Sequence, residues 1–130
     1  MRMKQVSVFI ENVPGRLGEM LRVLYESKIN IRALAVADGT DYGIVRMILS
    51  DVEKGVAALR GAGLTASTNE VLAAEIPDEP GGLLEKVVEP LGAAGINLEY
   101  FYAFVDPTPG RATVVLKVRD LEKAQKALGM

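Results

Sequence analysis

The chain has 130 residues, with 17 Asp and Glu against 15 Lys and Arg, 49% hydrophobic residues, and neither His nor Cys. That length suits one domain or two very small ones, and without imidazole or thiol the chain alone cannot build a His/Cys zinc site, a Cys nucleophile or a Ser-His-Asp triad. A net charge of −2 without a Lys/Arg cluster argues against nucleic acid, and no stretch reaches the ~18 apolar residues that span a bilayer.

Met1, Arg2, Met3, Lys4 and Gln5 lead into an alternating pattern, not a signal-type apolar core, which together with the lack of Cys predicts a cytoplasmic location. Residues 5–11 place Val6, Val8 and Ile10 on one face of a half-buried strand, and Val13, Pro14 and Gly15 break it. Leu17, Met20, Leu21 and Leu24 then follow at i, i+3, i+4 and i+7, the stripe of an amphipathic helix with Arg16, Glu19, Arg22 and Glu26 outward. Residues 29–37 and 43–49 read as a hairpin turned by Asp38-Gly39-Thr40-Asp41. Ser50 to Glu53 offers a capping box for a short helix carrying Val52, Val56 and Leu59, stopped by Gly61 and Gly63, and a fourth strand follows from Leu64.

The same order then returns. Residues 71–76 form a strand, and Pro80-Gly81 opens a helix with Leu83, Leu84, Val87, Val88 and Leu91, which Pro90 is expected to kink or end. Residues 96–104 and 112–118 are strands around a turn containing Pro107 and Pro109-Gly110, and Asp120 caps a last helix. The repeat is visible residue by residue: Pro14-Gly15-x-Leu17 matches Pro80-Gly81-x-Leu83, Ile29-Asn30-Ile31 matches Ile96-Asn97-Leu98, and Asp51-Val52-Glu53-Lys54 matches Asp120-Leu121-Glu122-Lys123. Each copy is βαββαβ, so the predicted fold is α+β, two ferredoxin-like units with antiparallel sheets over residues 1–69 and 70–130. The second lacks its final strand, leaving an edge to be satisfied, and Asn69 is the one turn-forming residue between the fourth strand and the next.

Helices cover one face of such a sheet, yet both faces carry apolar residues. Phe9 opposes Val6, Val8 and Ile10; Leu34 and Val36 oppose Ile31, Ala33 and Ala35; Tyr100, Tyr102 and Phe104 oppose Phe101 and Val105. The second face is therefore expected to pack between the copies or to form a homodimer. It does not read as an RNA-recognition sheet, because neither third strand, residues 43–49 or 112–118, contains an aromatic.

The turn 11–17, repeated as 77–83, is the element with chemical potential. Pro fits the first helical turn, Gly lets a ligand approach the free amides behind it, and those amides with the helix dipole suit a carboxylate. Asn12 and Asp78 can meet an ammonium group or simply cap the helix, and Asn30 and Asn97 can face a ligand or satisfy nearby backbone.

Strand, Asn-x-Pro-Gly-x-Leu turn, helix and Ile-Asn-Ile strand together resemble ACT domains, small regulatory modules that bind amino acids, here as the stand-alone tandem type. The resemblance implies ligand binding without catalysis or cofactor, at interfaces between ACT units. Carried over, the contacts are Asn12, Val13, Gly15, Arg16, Leu17, Asn30 and Ile31 in the first copy, and Asp78, Glu79, Gly81, Gly82, Leu83, Asn97 and Leu98 in the second. Because Asp78 beside Glu79 repels a carboxylate, the two sites are not expected to be equivalent. The resulting expectation is a sensor that binds an amino acid, forms a homodimer and can serve a metabolic enzyme. A ligand-free oligomerisation adaptor, or an acylphosphatase-like use of Arg16, are the competing readings.

Overall fold

Alternation with β-branched residues puts Val6 and Val8 on the buried face of β1 (Arg2–Glu11) in the computed structural model, which describes residues 1–104 and 108–130. The remaining elements are α1 (Arg16–Glu26), β2 (Ile31–Ala37), β3 (Tyr42–Leu49), α2 (Val52–Gly61), β4 (Thr65–Pro77), a π-helical turn (Leu84–Val88) running into α3 (Glu89–Ala93), β5 (Tyr100–Ala103), β6 (Arg111–Lys117) and α4 (Leu121–Ala127). They pack as two units, Lys4–Asn69 and Met1–Met3 with Glu70–Met130. The predicted positions of Val105 and Pro107 lie outside the described residues. Among the described residues no helix is long and apolar enough to cross a membrane.

In the unit Lys4–Asn69 the strand order is β2-β3-β1-β4, that of a ferredoxin-like sheet, with β3 antiparallel to both β1 and β2. Met20 and Leu24 of α1 and Leu59 of α2 are buried with Val6, Val8, Val45 and Met47, each such side chain contributing roughly 1.5–3 kcal/mol by leaving water. Asp51, not Ser50, caps α2: its Oδ1 accepts from the Lys54 amide at 3.1 Å. Lys54 then holds the third helical position, so the capping box expected of Ser50 and Glu53 does not form. The β2–β3 pairing shifts between Ile31 and Ala33. This bulge turns Leu34 and Val36 to the core side opposite Met47 and Val45, where simple alternation places them on the face away from Ile31.

The second unit has the order β4-β6-β5, and no strand follows α4. Met1–Met3 takes the fourth position. Met1 and Ala73 exchange backbone bonds, the Ala73 amide donating to the Met1 carbonyl at 2.7 Å and the Met1 nitrogen to the Ala73 carbonyl at 3.1 Å. Arg2 donates to Gln125 at 2.9 Å and to Glu70 at 3.3 Å. Pro90 neither ends nor breaks its helix, because the Glu89 amide bonds to the Leu84 carbonyl five residues back. The wider π turn gives the proline ring the room that an α turn denies it.

Asn69 makes no turn. β4 runs straight through it, and its Oδ1 accepts from Nε2 of Gln5, which is fully buried, at 3.1 Å. On the faces away from the helices, Ala33 and Ile48 in one unit and Val71, Ala73, Tyr102 and Val115 in the other are buried, while Phe9 remains 49% exposed. Asn69→Ala removes an acceptor from a buried amide and is expected to cost about 1–3 kcal/mol. A lowered urea midpoint at unchanged slope checks it.

Candidate functional site

Gly15 shapes the β1–α1 turn by taking a left-handed backbone, φ 89°, at the position before α1, so no side chain caps the helix. Asn12 is not the cap. Its Nδ2 donates to the Gly39 carbonyl and its amide to the Asp41 carbonyl, both at 2.8 Å, tying the turn to the β2–β3 hairpin. Only the NH2 end can face a carbonyl, which orients Oδ1 as an available acceptor. The Glu19 amide donates to the Gly15 carbonyl at 3.0 Å, whereas the Leu17 and Gly18 amides precede the first intrahelical partners and have no side-chain cap. A Cβ at Gly15 or Gly18 would meet nothing within 4 Å.

Arg16 lies between two carboxylates, 2.9 Å from Glu19 and 3.4 Å from Glu11. The hydrogen bond to Glu19 and then the charge of Glu11 raise its already high pKa. Held this way, Arg16 is not the lone phosphate ligand that an acylphosphatase-like site needs. Val13 and Leu17 are exposed apolar residues beside it.

The second copy repeats the backbone and alters the surface. Gly81 is left-handed at φ 85°, the Asp78 amide donates to the Gly110 carbonyl at 3.0 Å, and the Glu85 amide donates to the Gly81 carbonyl at 2.8 Å. A Cβ at Gly82 would run into the Pro77 carbonyl oxygen, so the position matching Arg16 has no room for a side chain. Glu85 lies over the turn, its Oε1 3.4 Å from where a Gly81 Cβ would stand. With Asp78 and Glu79 this makes an acidic surface unsuited to a carboxylate ligand.

Not all the residues singled out by sequence come together within a unit. Glu11 pairs with Tyr42 at one end of β3, and Ile31 with Leu49 at the other. Asn30 and Ile31 therefore stand at the far end of β2 from Asn12, Val13, Gly15, Arg16 and Leu17. Asn97 and Leu98 precede β5, whose Tyr100 pairs with Lys117, while Pro77, just before Asp78, pairs with Arg111 at the opposite end of β6. Asn97 and Leu98 are thus remote from Asp78, Glu79, Gly81, Gly82 and Leu83. The exposed apolar residues that β2 carries on the helix-covered face are instead Leu34 and Val36, 37% and 50% exposed. Only the bulge puts them there, and nothing in the sequence marks a bulge. Gly18 is not among the residues singled out by sequence, and its one signal is that of a glycine inside an amphipathic stripe.

The close approach at Gly82 and the open space at Gly18 give opposite expectations. Gly82→Ala must displace the turn and is expected to cost about 1–3 kcal/mol, whereas Gly18→Ala is expected to stabilise by about 0.5–1 kcal/mol through helix propensity. Thermal unfolding of the two variants reads both signs.

The chain matches the family model of the ACT domain pair over residues 1–128. It is 35% identical to protein BT0572 from Bacteroides thetaiotaomicron, covering 99% of this chain and 88% of that one, with a TM-score of 0.92. The regulatory subunits of aspartate kinase from Thermus thermophilus and Thermus flavus share the fold at 16% and 18% identity, each with a TM-score of 0.68, covering 97% of this chain and 87% and 88% of theirs. Comparison with curated protein sequences gives no match. Fold, repeated turn and family model agree: the chain belongs to the ACT domain pair family.

Proposed function

We propose that the protein is a non-catalytic regulator that binds an amino acid at the first turn, residues 12–18. The observation that carries this is the uncapped start of α1 behind the open, left-handed Gly15, in a turn where Asn12 is held through its Nδ2 and its amide by the Gly39 and Asp41 carbonyls. The Leu17 and Gly18 amides suit the α-carboxylate, and Oδ1 suits the ammonium, aided by Glu11 and Glu19, which together exceed the charge of Arg16. Val13 and Leu17 offer an exposed apolar surface at the turn, so the favoured ligands have apolar side chains. The second turn, with its Asp78, Glu79 and Glu85, is the weaker site.

Asn30 and Ile31, remote from the turn of their own unit, reach such a ligand from a second copy of the chain, which makes a homodimer part of this reading. The fold likeness to regulatory subunits of aspartate kinase supports a further role beside a metabolic enzyme. Regulation then follows from linkage: a ligand held more tightly in one assembly favours that assembly by the ratio of its affinities.

Calorimetry against the twenty amino acids, with oligomeric state measured on the same samples, tests the reading. The expected result is saturable heat with one or two apolar amino acids, weakened about tenfold or more in Gly18→Leu, the residue type that the second copy carries at Leu84, while circular dichroism is unchanged. No heat and no change of assembly with any amino acid leaves the ligand-free adaptor in its place.

A further inference from the structure

A cavity of about 450 Å³ opens in the unit Met1–Met3 with Glu70–Met130, lined by Asn97, Glu99, Arg119, Asp120 and Lys123 around Gly95 and Ile96. It lies where β5 begins and β6 runs into α4, at the opposite end of the strands from the Pro-Gly turn. The matching place in the first copy is built differently. There Ser50 Oγ accepts from the Asn30 amide at 2.9 Å, and the Ser50 amide donates to the Asn30 carbonyl at 2.9 Å, which starts β2 at Ile31. Arg119 stands in the Ser50 position and has no hydroxyl to make that bond. The strand begins at Tyr100, two residues later in the repeat, and the cavity opens beside this start.

The lining carries two cations, Arg119 and Lys123, and two carboxylates, Glu99 and Asp120. Asp120 Oδ1 accepts from the Lys123 amide at 3.0 Å, and Glu99 faces Lys117 at 3.9 Å. Arg119 and Lys123 have no ion-pair partner among the described residues. A planar guanidinium fork and an ammonium lining the same cavity match a tetrahedral or planar dianion, the fork binding two oxygens and the lysine neutralising the remaining charge. The Asn97 side chain, exposed and with both a donor and an acceptor, can meet a hydroxyl or amino substituent. The volume falls within the range of small-molecule sites.

We propose that this cavity binds a small dianion, a phosphomonoester or dicarboxylate bearing hydroxyl or amino groups, as a second site separate from the amino-acid turn. The proposal does not depend on the ligand of that turn.

Titration with inorganic phosphate, glycerol 3-phosphate and succinate at constant ionic strength, followed by NMR of the Asn97 side-chain amide and the Arg119 Nε–H, distinguishes the two classes of anion. Saturable shifts with at least one probe are expected, weakened about tenfold or more in Arg119→Ser and reduced in Lys123→Gln. Arg119→Ser installs the residue that the first copy already uses, so the variant is expected to fold with an unchanged spectrum elsewhere. Absence of saturable shifts with all three probes, or binding that survives Arg119→Ser unchanged, would overturn the proposal.

Discussion

A βαββαβ sheet needs four strands, and an unfilled fourth position exposes a row of backbone donors and acceptors that must find partners. The chain meets this need in both units by letting two strands serve twice. β4 closes the unit Lys4–Asn69 up to Asn69 and opens the other from Glu70, and β1 gives its first residues to one and the remainder to the other. The Met1–Ala73 exchange and the Arg2 contacts to Glu70 and Gln125 fix that first segment, and the buried Gln5–Asn69 pair holds the next. The 13 residues of β4 and the 10 of β1 are long because each does the work of two shorter strands.

With the scaffold fixed in this way, the two copies are free to diverge at their loops, and they do so at opposite ends. The left-handed glycines at 15 and 81 and the Asp caps at 51 and 120 are kept, since they set the backbone on which each helix starts. At the turn end the first copy is open at Gly18, while the second is crowded by the Pro77 carbonyl and overlaid by Glu85. At the other end the first copy is tied by the two Asn30–Ser50 hydrogen bonds, and in the second a cavity opens around Arg119. Single-residue differences thus set how much room each end of each unit leaves.

How much of this could be read from the sequence depends on the range of the interaction concerned. The repeat, the element order and the αL turns are local properties, written in apolar periodicity and in Pro-Gly pairs. The absence of a strand after α4 was equally visible, but its replacement by Met1–Met3 joins residues some 70 positions apart and leaves no periodic trace. The bulge near Arg32 and the π turn before Pro90 are departures in register and pitch that arise only once neighbouring strands and helices must pack. Asn12 and Asn69 were legible as polar residues at breaks in a pattern. Their partners, the Gly39 carbonyl and Gln5, were not, because both lie across the sheet.

This difference in range also bears on ligand identity. A turn that holds a carboxylate through backbone amides recognises the head group common to all amino acids, and it can do so with almost any sequence that starts a helix behind a left-handed glycine. Discrimination among ligands with that head group would fall to side chains next to the turn, where Val13 and Leu17 are exposed. Further along the sheet, Leu34 and Val36 lie on the helix-covered face only because β2 carries one extra residue. Removing that residue would return Leu34 and Val36 to the opposite face while leaving the Pro-Gly turn intact. The Pro-Gly motif therefore reports on the backbone of the turn, and the side chains around it are set by separate features such as this bulge.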